Sequence, residues 1–109
     1  MTEEKMRQLQ LYEQSLQTLL AQKQQFQAQI AEFESAIGEL GSATESYRII
    51  GNIMVKADPK KVLSDVEEKR SALVMRLKAI DRQEDAIKDK AKGLRQQVLA
   101  GMNHDQASE

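Results

Sequence analysis

His104 and Asp105 form the one place in this chain where an imidazole stands next to a carboxylate, and the chemistry open to such a pair is proton transfer or half of a metal site. The chain has no second histidine and no cysteine to complete a ligand set, so the pair is expected to sit in a polar, frayed tail, MNHDQASE, with no metal. Glu67 and Glu68 are adjacent carboxylates, but on a solvated helix nothing perturbs their pKa values toward acid–base work. Gly38 and Gly41 lack the following Lys-Ser/Thr of a phosphate-binding loop. Without cysteine there is no thiolate nucleophile, no disulfide framework and no Cys-based zinc or iron–sulfur site. The chain is expected not to be an enzyme and to need no cofactor.

The elements that carry these residues are more informative. A chain of 109 residues is one folding unit, too small for a deep core, and 4% aromatic residues rule out packing built on large rings. The net charge of −1 offers no polybasic footprint for nucleic acid, and the Lys/Arg-rich second half lacks aromatic interleaving for base stacking. Charge is uneven: Lys5, Arg7 and Lys23 stand against seven acidic residues up to Ser46, whereas the chain from Tyr47 onward is net basic. No apolar run approaches the roughly 18 to 20 residues that span a bilayer, and MTEEKMRQLQ is not a signal peptide. No membrane association and a cytoplasmic location are expected.

Apolar residues fall at Leu9, Tyr12, Leu16, Leu19, Phe26, Ile30, Phe33, Ile37 and Leu40, and adding Lys23 makes every gap alternate three and four. So narrow a stripe over more than four heptads is a coiled-coil seam, and the glutamines between its positions are good helix formers. The second half repeats the rule at Leu63, Val66, Leu73, Leu77, Ile80, Ile87, Ala91, Leu94 and Val98, with Arg70 and Glu84 as polar seam positions. Each helix is expected to have about 40 residues and a length of roughly 60 Å. Asp58 followed by Pro59 marks the start of the second helix, and Gly41 is the expected αL terminator of the first. The expected organisation is one domain over 1–109: a helix at about 2–41, a β-hairpin at 46–57, a helix at about 59–100 and a tail at 101–109.

Folding the chain back on itself gives a register in which Leu40 meets Leu63, Ile37 meets Val66, Ile30 meets Leu73, Phe26 meets Leu77, Leu16 meets Ile87 and Leu9 meets Leu94. Lys23 then faces Ile80 and Glu84 faces Leu19 in adjacent layers, so Lys23 and Glu84 are predicted to pair across the seam as a register device. Arg70 is expected on the Phe33 ring, and Tyr12 against Ala91 as a large-to-small match. Asp65–Lys69 and Glu84–Lys88 are expected as helix-surface ion pairs.

The same register runs through the segment SYRIIGNIMVKADP. Gly51-Asn52 is a two-residue turn of type II′ or I′ that pairs Ile50 with Ile53, Ile49 with Met54, Arg48 with Val55 and Tyr47 with Lys56. One face offers Ile50, Ile53 and Val55, the other Tyr47, Ile49 and Met54, and a lone hairpin is marginal in water. Tyr47, Ile49, Ile50, Gly51, Ile53, Met54 and Val55 are therefore the candidate oligomer-assembly residues, by strand pairing into a shared sheet or barrel. The expected fold class is all-α dominated with a small β element: a long antiparallel two-helix coiled coil whose hairpin pairs with those of other chains in a shared sheet or barrel.

On these residues the sequence resembles the prefoldin family, specifically the β-type subunit with one hairpin between its coils, as in archaea. The most specific part is the pattern Y-x-x-x-G-x-x-x-V-K at Tyr47, Gly51, Val55 and Lys56. The resemblance implies a hetero-hexamer of two α-type and four β-type subunits, with hairpins in a β-barrel platform. It also implies an ATP-independent holdase whose coiled-coil ends hold unfolded client proteins before transfer to a group II chaperonin.

The register agrees with that implication. It sets Lys5 against Val98, beyond which the helices have little left to bury, so Met6, Leu9, Leu11, Val98, Leu99 and Met102 are the candidate client-binding residues. The competing readings are a coiled-coil scaffold or adaptor joining native partners, and the appended helical arm of an enzyme.

Overall fold

The computed structural model describes residues 2–107, with side chains through residue 102. The elements are α1 (Thr2–Leu40), β1 (Ser46–Ile50), β2 (Ile53–Ala57) and α2 (Pro59–Ala107). The His104 side chain, and with it the pair with Asp105, lies outside the described side chains.

The start of α2 follows the sequence signal. Asp58 Oδ1 accepts from the Lys60 N–H at 3.1 Å, and the Asp58 carbonyl accepts from Lys61 and Val62 at 3.1 and 3.0 Å. Pro59, at the first helical position, has no N–H to leave unpaired. The helix runs through Ala107, past the boundary near residue 100 where the seam pattern weakens, because the segment after Val98 contains no residue that breaks a helix outright.

The end of α1 differs from expectation: Gly41 is not in the αL conformation, since among the described residues Gly51 alone has a positive φ. The helix tightens instead. Gly41 N–H donates to the Ile37 carbonyl at 3.2 Å, then Ser42 donates to Glu39 and Ala43 to Leu40 at 3.4 and 3.3 Å. These last bonds, three residues back, satisfy the terminal carbonyls that an αL cap would otherwise serve.

The chain forms two compact units, one of Met1–Lys23 with Ala79–Glu109 and one of Gln24–Lys78. In the first, the α1 seam positions drawn away from solvent are Thr2, Lys5, Leu9, Tyr12, Leu16, Leu19 and Lys23. On α2 they are Ile80, Glu84, Ile87, Ala91, Leu94, Val98 and Gly101. The three-four rhythm thus extends beyond its apolar members at both ends. A Cβ on Gly101 would stand 3.9 Å from Thr2 Oγ1, so the outermost layer keeps the register that sets Leu9 against Leu94. Ala91, 2% exposed, is the most deeply buried core residue, in the layer the register assigns to Tyr12.

In the second unit the seam is Phe26, Ile30, Phe33, Ile37 and Leu40 on α1 with Leu63, Val66, Arg70, Leu73 and Leu77 on α2, all half-buried or buried. Only Leu73 among them, 9% exposed, is buried, as expected for a pair of helices with one shared seam.

Candidate functional site

The hairpin is built by a single turn. Gly51 has φ 61° and Asn52 a negative φ, which selects type II′ over type I′, where both would be positive. Its strands pair antiparallel, Ile50 with Ile53, Ile49 with Met54, Arg48 with Val55, Tyr47 with Lys56 and Ser46 with Ala57. Ser46, the one buried residue of β1, donates its hydroxyl to the Ala57 carbonyl at 2.6 Å and closes the base of the hairpin. Arg48 forms an ion pair with Asp65 of α2, and Tyr47 donates to Glu45 Oε2 at 3.3 Å. Asp65 thus turns to the hairpin, where the sequence had suggested Lys69.

Every large apolar side chain of the hairpin is open to solvent. Ile49 is 73% exposed and Met54, its cross-strand partner, 66%; Ile50, Ile53, Val55 and Tyr47 are exposed as well. The sheet has two strands and hence two open edges. Both faces and both edges are uncovered, the combination that folded proteins avoid unless another chain completes the sheet.

In the first unit, the polar seam position Lys23 makes two contacts. Its Nζ lies 2.8 Å from Asp81 Oδ1 and 3.7 Å from Glu84 Oε1, and Lys88 lies 3.3 Å from the same Glu84 oxygen. The nearer partner is therefore Asp81, one residue beyond the Ile80 that the register places opposite Lys23. Asp81 Oδ1 is closed off from water, and the ammonium contact is short without being well aligned. The lysine pKa is raised above its ordinary value, first by the interaction with Asp81 and further by the charge of Glu84, against a partial opposing effect of burial.

In the second unit, Arg70 reaches Glu34 through both Nε and an Nη nitrogen, at 3.1 and 2.9 Å. The expectation laid its stem or its guanidinium on the Phe33 ring; the guanidinium goes instead to a carboxylate one residue farther along α1, the stronger attractor. Asp81 and Glu34 were both missed in the sequence, although the register locates each beside the residue that faces the base.

At the free end of the first unit the six candidate residues do not share one environment. Met6, Leu11, Leu99 and Met102 are about half exposed, Leu9 is half-buried, and Val98 is 8% exposed. Val98 is a seam residue whose layer holds Lys5, itself half-buried, and so it is covered where fraying had been expected. Among the described residues no group of three or more His, Cys, Asp and Glu side chains is placed to hold a metal, and no helix is long and apolar enough to cross a membrane.

Two seam-paired helices joined by a bare hairpin define a coiled-coil hairpin protein. Comparison with known proteins places it further. The family described as Prefoldin subunit matches residues 3–103. The chain is 37% identical to prefoldin subunit beta of Pyrococcus furiosus over 87% of its own length and 84% of that protein. It is 33% identical to prefoldin subunit beta of Archaeoglobus fulgidus, over 76% of this chain and 74% of the other. The crystal structure of the prefoldin beta subunit from Thermococcus strain KS-1 superposes with a TM-score of 0.87 at 31% identity, covering 92% of this chain and 90% of that one. The chain belongs to the prefoldin subunit family, on its β-type side.

Proposed function

We propose that this chain is the β-type subunit of an ATP-independent holdase. Its hairpin joins those of α-type subunits and other β-type copies in a barrel, giving a hetero-hexamer of two α and four β chains. The coil ends hold unfolded proteins, prevent their aggregation and deliver them to a group II chaperonin in the cytoplasm. The reading needs no cofactor, nucleic acid or membrane.

The observation that carries it is the hairpin: Ile49, Ile50, Ile53 and Met54, all more than 60% exposed, on a sheet with two open edges, in a chain of this family. Assembly supplies what one chain lacks, and it gathers several coil ends into one particle, where weak apolar contacts add up by effective concentration. Met6, Leu11, Leu99 and Met102 are the exposed apolar residues at that end.

The test is light scattering of an unfolded model protein diluted into buffer with this chain, an α-type partner, or both, with molar mass measured on the same samples. Suppression without ATP by a particle of six chains is the expected result. A stable mixed particle that leaves aggregation unchanged would point to an adaptor of native proteins instead.

A further inference from the structure

We propose that Arg48 and Asp65 form a salt-sensitive latch that fixes the hairpin to α2 and not to α1, so that the direction in which the coil leaves the assembled hairpins is set at the start of α2. The proposal rests on the reading of the hairpin as the assembly element and adds how that element aims the coil.

The two ends of the hairpin are joined to the helices unequally. β2 ends at Ala57 and α2 begins at Pro59, so Asp58 alone lies between them. That residue has little freedom. Its carboxylate accepts from the Lys60 N–H at 3.1 Å, its carbonyl accepts from Lys61 and Val62, and the proline that follows confines it to extended backbone. On the other side five residues, 41–45, separate α1 from β1. Ser42 and Ala43 continue the tightened helix end, but Thr44 and Glu45 make no backbone hydrogen bond among the described residues. The register adds a second difference. Leu40 meets Leu63, so the first turn of α2, residues 59–62, lies past the last seam layer of α1 and reaches the hairpin without a helical partner.

The side chains follow the same division. Ser46 ties the base of β1 to the Ala57 carbonyl at 2.6 Å, next to Asp58. Arg48, two residues along β1 and on the same face as Ser46, reaches Asp65 in the second turn of α2. The Tyr47 hydroxyl stays local, on Glu45 of the connector. Among the described residues no hydrogen bond or ion pair runs from either strand to α1. The strands, Asp58 and the first two turns of α2 therefore form one body, and α1 is held beside it through the seam.

A single connecting residue is still a pivot, since rotation about its backbone bonds would swing the hairpin against the helix. The Arg48–Asp65 pair closes that freedom from the side. Both partners are more than 40% exposed, so salt screens the pair, and it shifts the balance of orientations by no more than about fivefold. Such a bias is too small to hold a fold together and large enough to select a direction. From Pro59 to Lys78 the helix spans about 30 Å at 1.5 Å per residue, so a pivot of about 10° moves Lys78 by about 5 Å.

The chain has no native cysteine, so spin labels report the joint directly. Asn52→Cys is combined with Glu68→Cys in the full chain, measured alone and mixed with its α-type partner. The distance between the two labels should be narrowly distributed, and Arg48→Ala or Asp65→Ala should broaden the distribution about twofold. Arg48→Asp together with Asp65→Arg should restore it. Sodium chloride at about 1 M should broaden it in the native pair and leave it unchanged in Arg48→Ala. Two glycines inserted between Ala43 and Thr44 should not widen the distribution, whereas the same insertion between Ala57 and Asp58 should. Helical circular dichroism establishes that each variant folds. Equal widths for the native pair and Arg48→Ala, or equal broadening by the two insertions, overturn the latch. Loss of assembly by Arg48→Ala with an unchanged distribution also overturns it, by making Arg48 an interface residue. A chain whose labels respond as expected but which forms no mixed particle overturns the assembly reading and leaves the latch standing.

Discussion

Asp81 Oδ1 meets the Lys23 ammonium at 2.8 Å from one residue beyond the seam position that faces the lysine. In the other unit the roles of the helices are exchanged: Glu34 of α1 stands one residue beyond Phe33 and meets Arg70 of α2 at 2.9 Å. In each unit a base within the seam is answered by a carboxylate at the seam's edge. A slip of one heptad would set Lys23 beside Lys88 or beside Val74 in place of Asp81, so the pairing favours the register observed.

Asp81→Asn should lower the melting temperature more than Glu84→Gln, because Asp81 is the closer partner and its Oδ1 is closed off from water. Thermal circular dichroism of the two variants checks the order; an equal or reversed effect would return the main role to Glu84.

The pH dependence has a definite sign. Folding raises the Lys23 pKa above its ordinary 10.5. The contribution of the charged lysine is therefore complete below that value and is lost as pH rises through the higher folded pKa. The stability advantage of the native chain over Lys23→Gln should hold through neutral pH and shrink above it only on the alkaline side, read from melts of both proteins in parallel.

Ile49→Lys with Met54→Lys places two charges on one hairpin face, where both side chains are exposed in the single chain. Helical content should be retained while the assembly falls to smaller species by light scattering. Gly51→Val forces a β-branched residue to φ 61° and should cost about 1–2 kcal/mol in the hairpin. Retained assembly in the double-lysine variant would exclude that face from the interface.

Asp58→Ala removes the side-chain acceptor for the Lys60 N–H and should cost about 1 kcal/mol in denaturant unfolding. Asp58→Ser should recover most of it, because serine also caps.

The chain has no native cysteine, so paired cysteines report register cleanly. Leu16→Cys with Ile87→Cys should oxidise to an intrachain disulfide, whereas Leu16→Cys with Leu94→Cys should remain reduced.

The seam was legible because burial in a two-helix coil follows a single rhythm: Lys23, Arg70 and Glu84 were located as seam positions although none is apolar, and all three are drawn away from solvent. Hairpin pairing was legible for the same reason, since Gly51-Asn52 admits one register. The choice of ionic partner was not, because long side chains reach off the seam and several carboxylates lie within range of each base. Thus Asp65 turns to Arg48 and Lys23 to Asp81. The cap at Gly41 was misjudged because a helix can finish with tightened bonds that need no positive φ. At the tip, Val98 was read by its distance from the hairpin, whereas its exposure is set by its place in the seam.

One turn at Gly51-Asn52 connects everything that pairs, and this orders the chain in time. Ile50 finds Ile53 across the turn, whereas Thr2 must wait for Gly101, about a hundred residues downstream. Because each layer closes a short loop once the layer nearer the turn has closed, the coil is expected to zip outward from the hairpin and open from its ends, with amide hydrogen exchange faster near Thr2 and Gly101 than near Leu40 and Leu63 as the check. On the ribosome, α1 is complete roughly sixty residues before the last of its partner layers, an interval of about 3–12 s at 5–20 residues per second. Through that interval its apolar stripe is covered layer by layer from the hairpin end, and nine glutamines stand off the stripe on the same helix. The part of the molecule that is made first and paired last is the end that carries Met6.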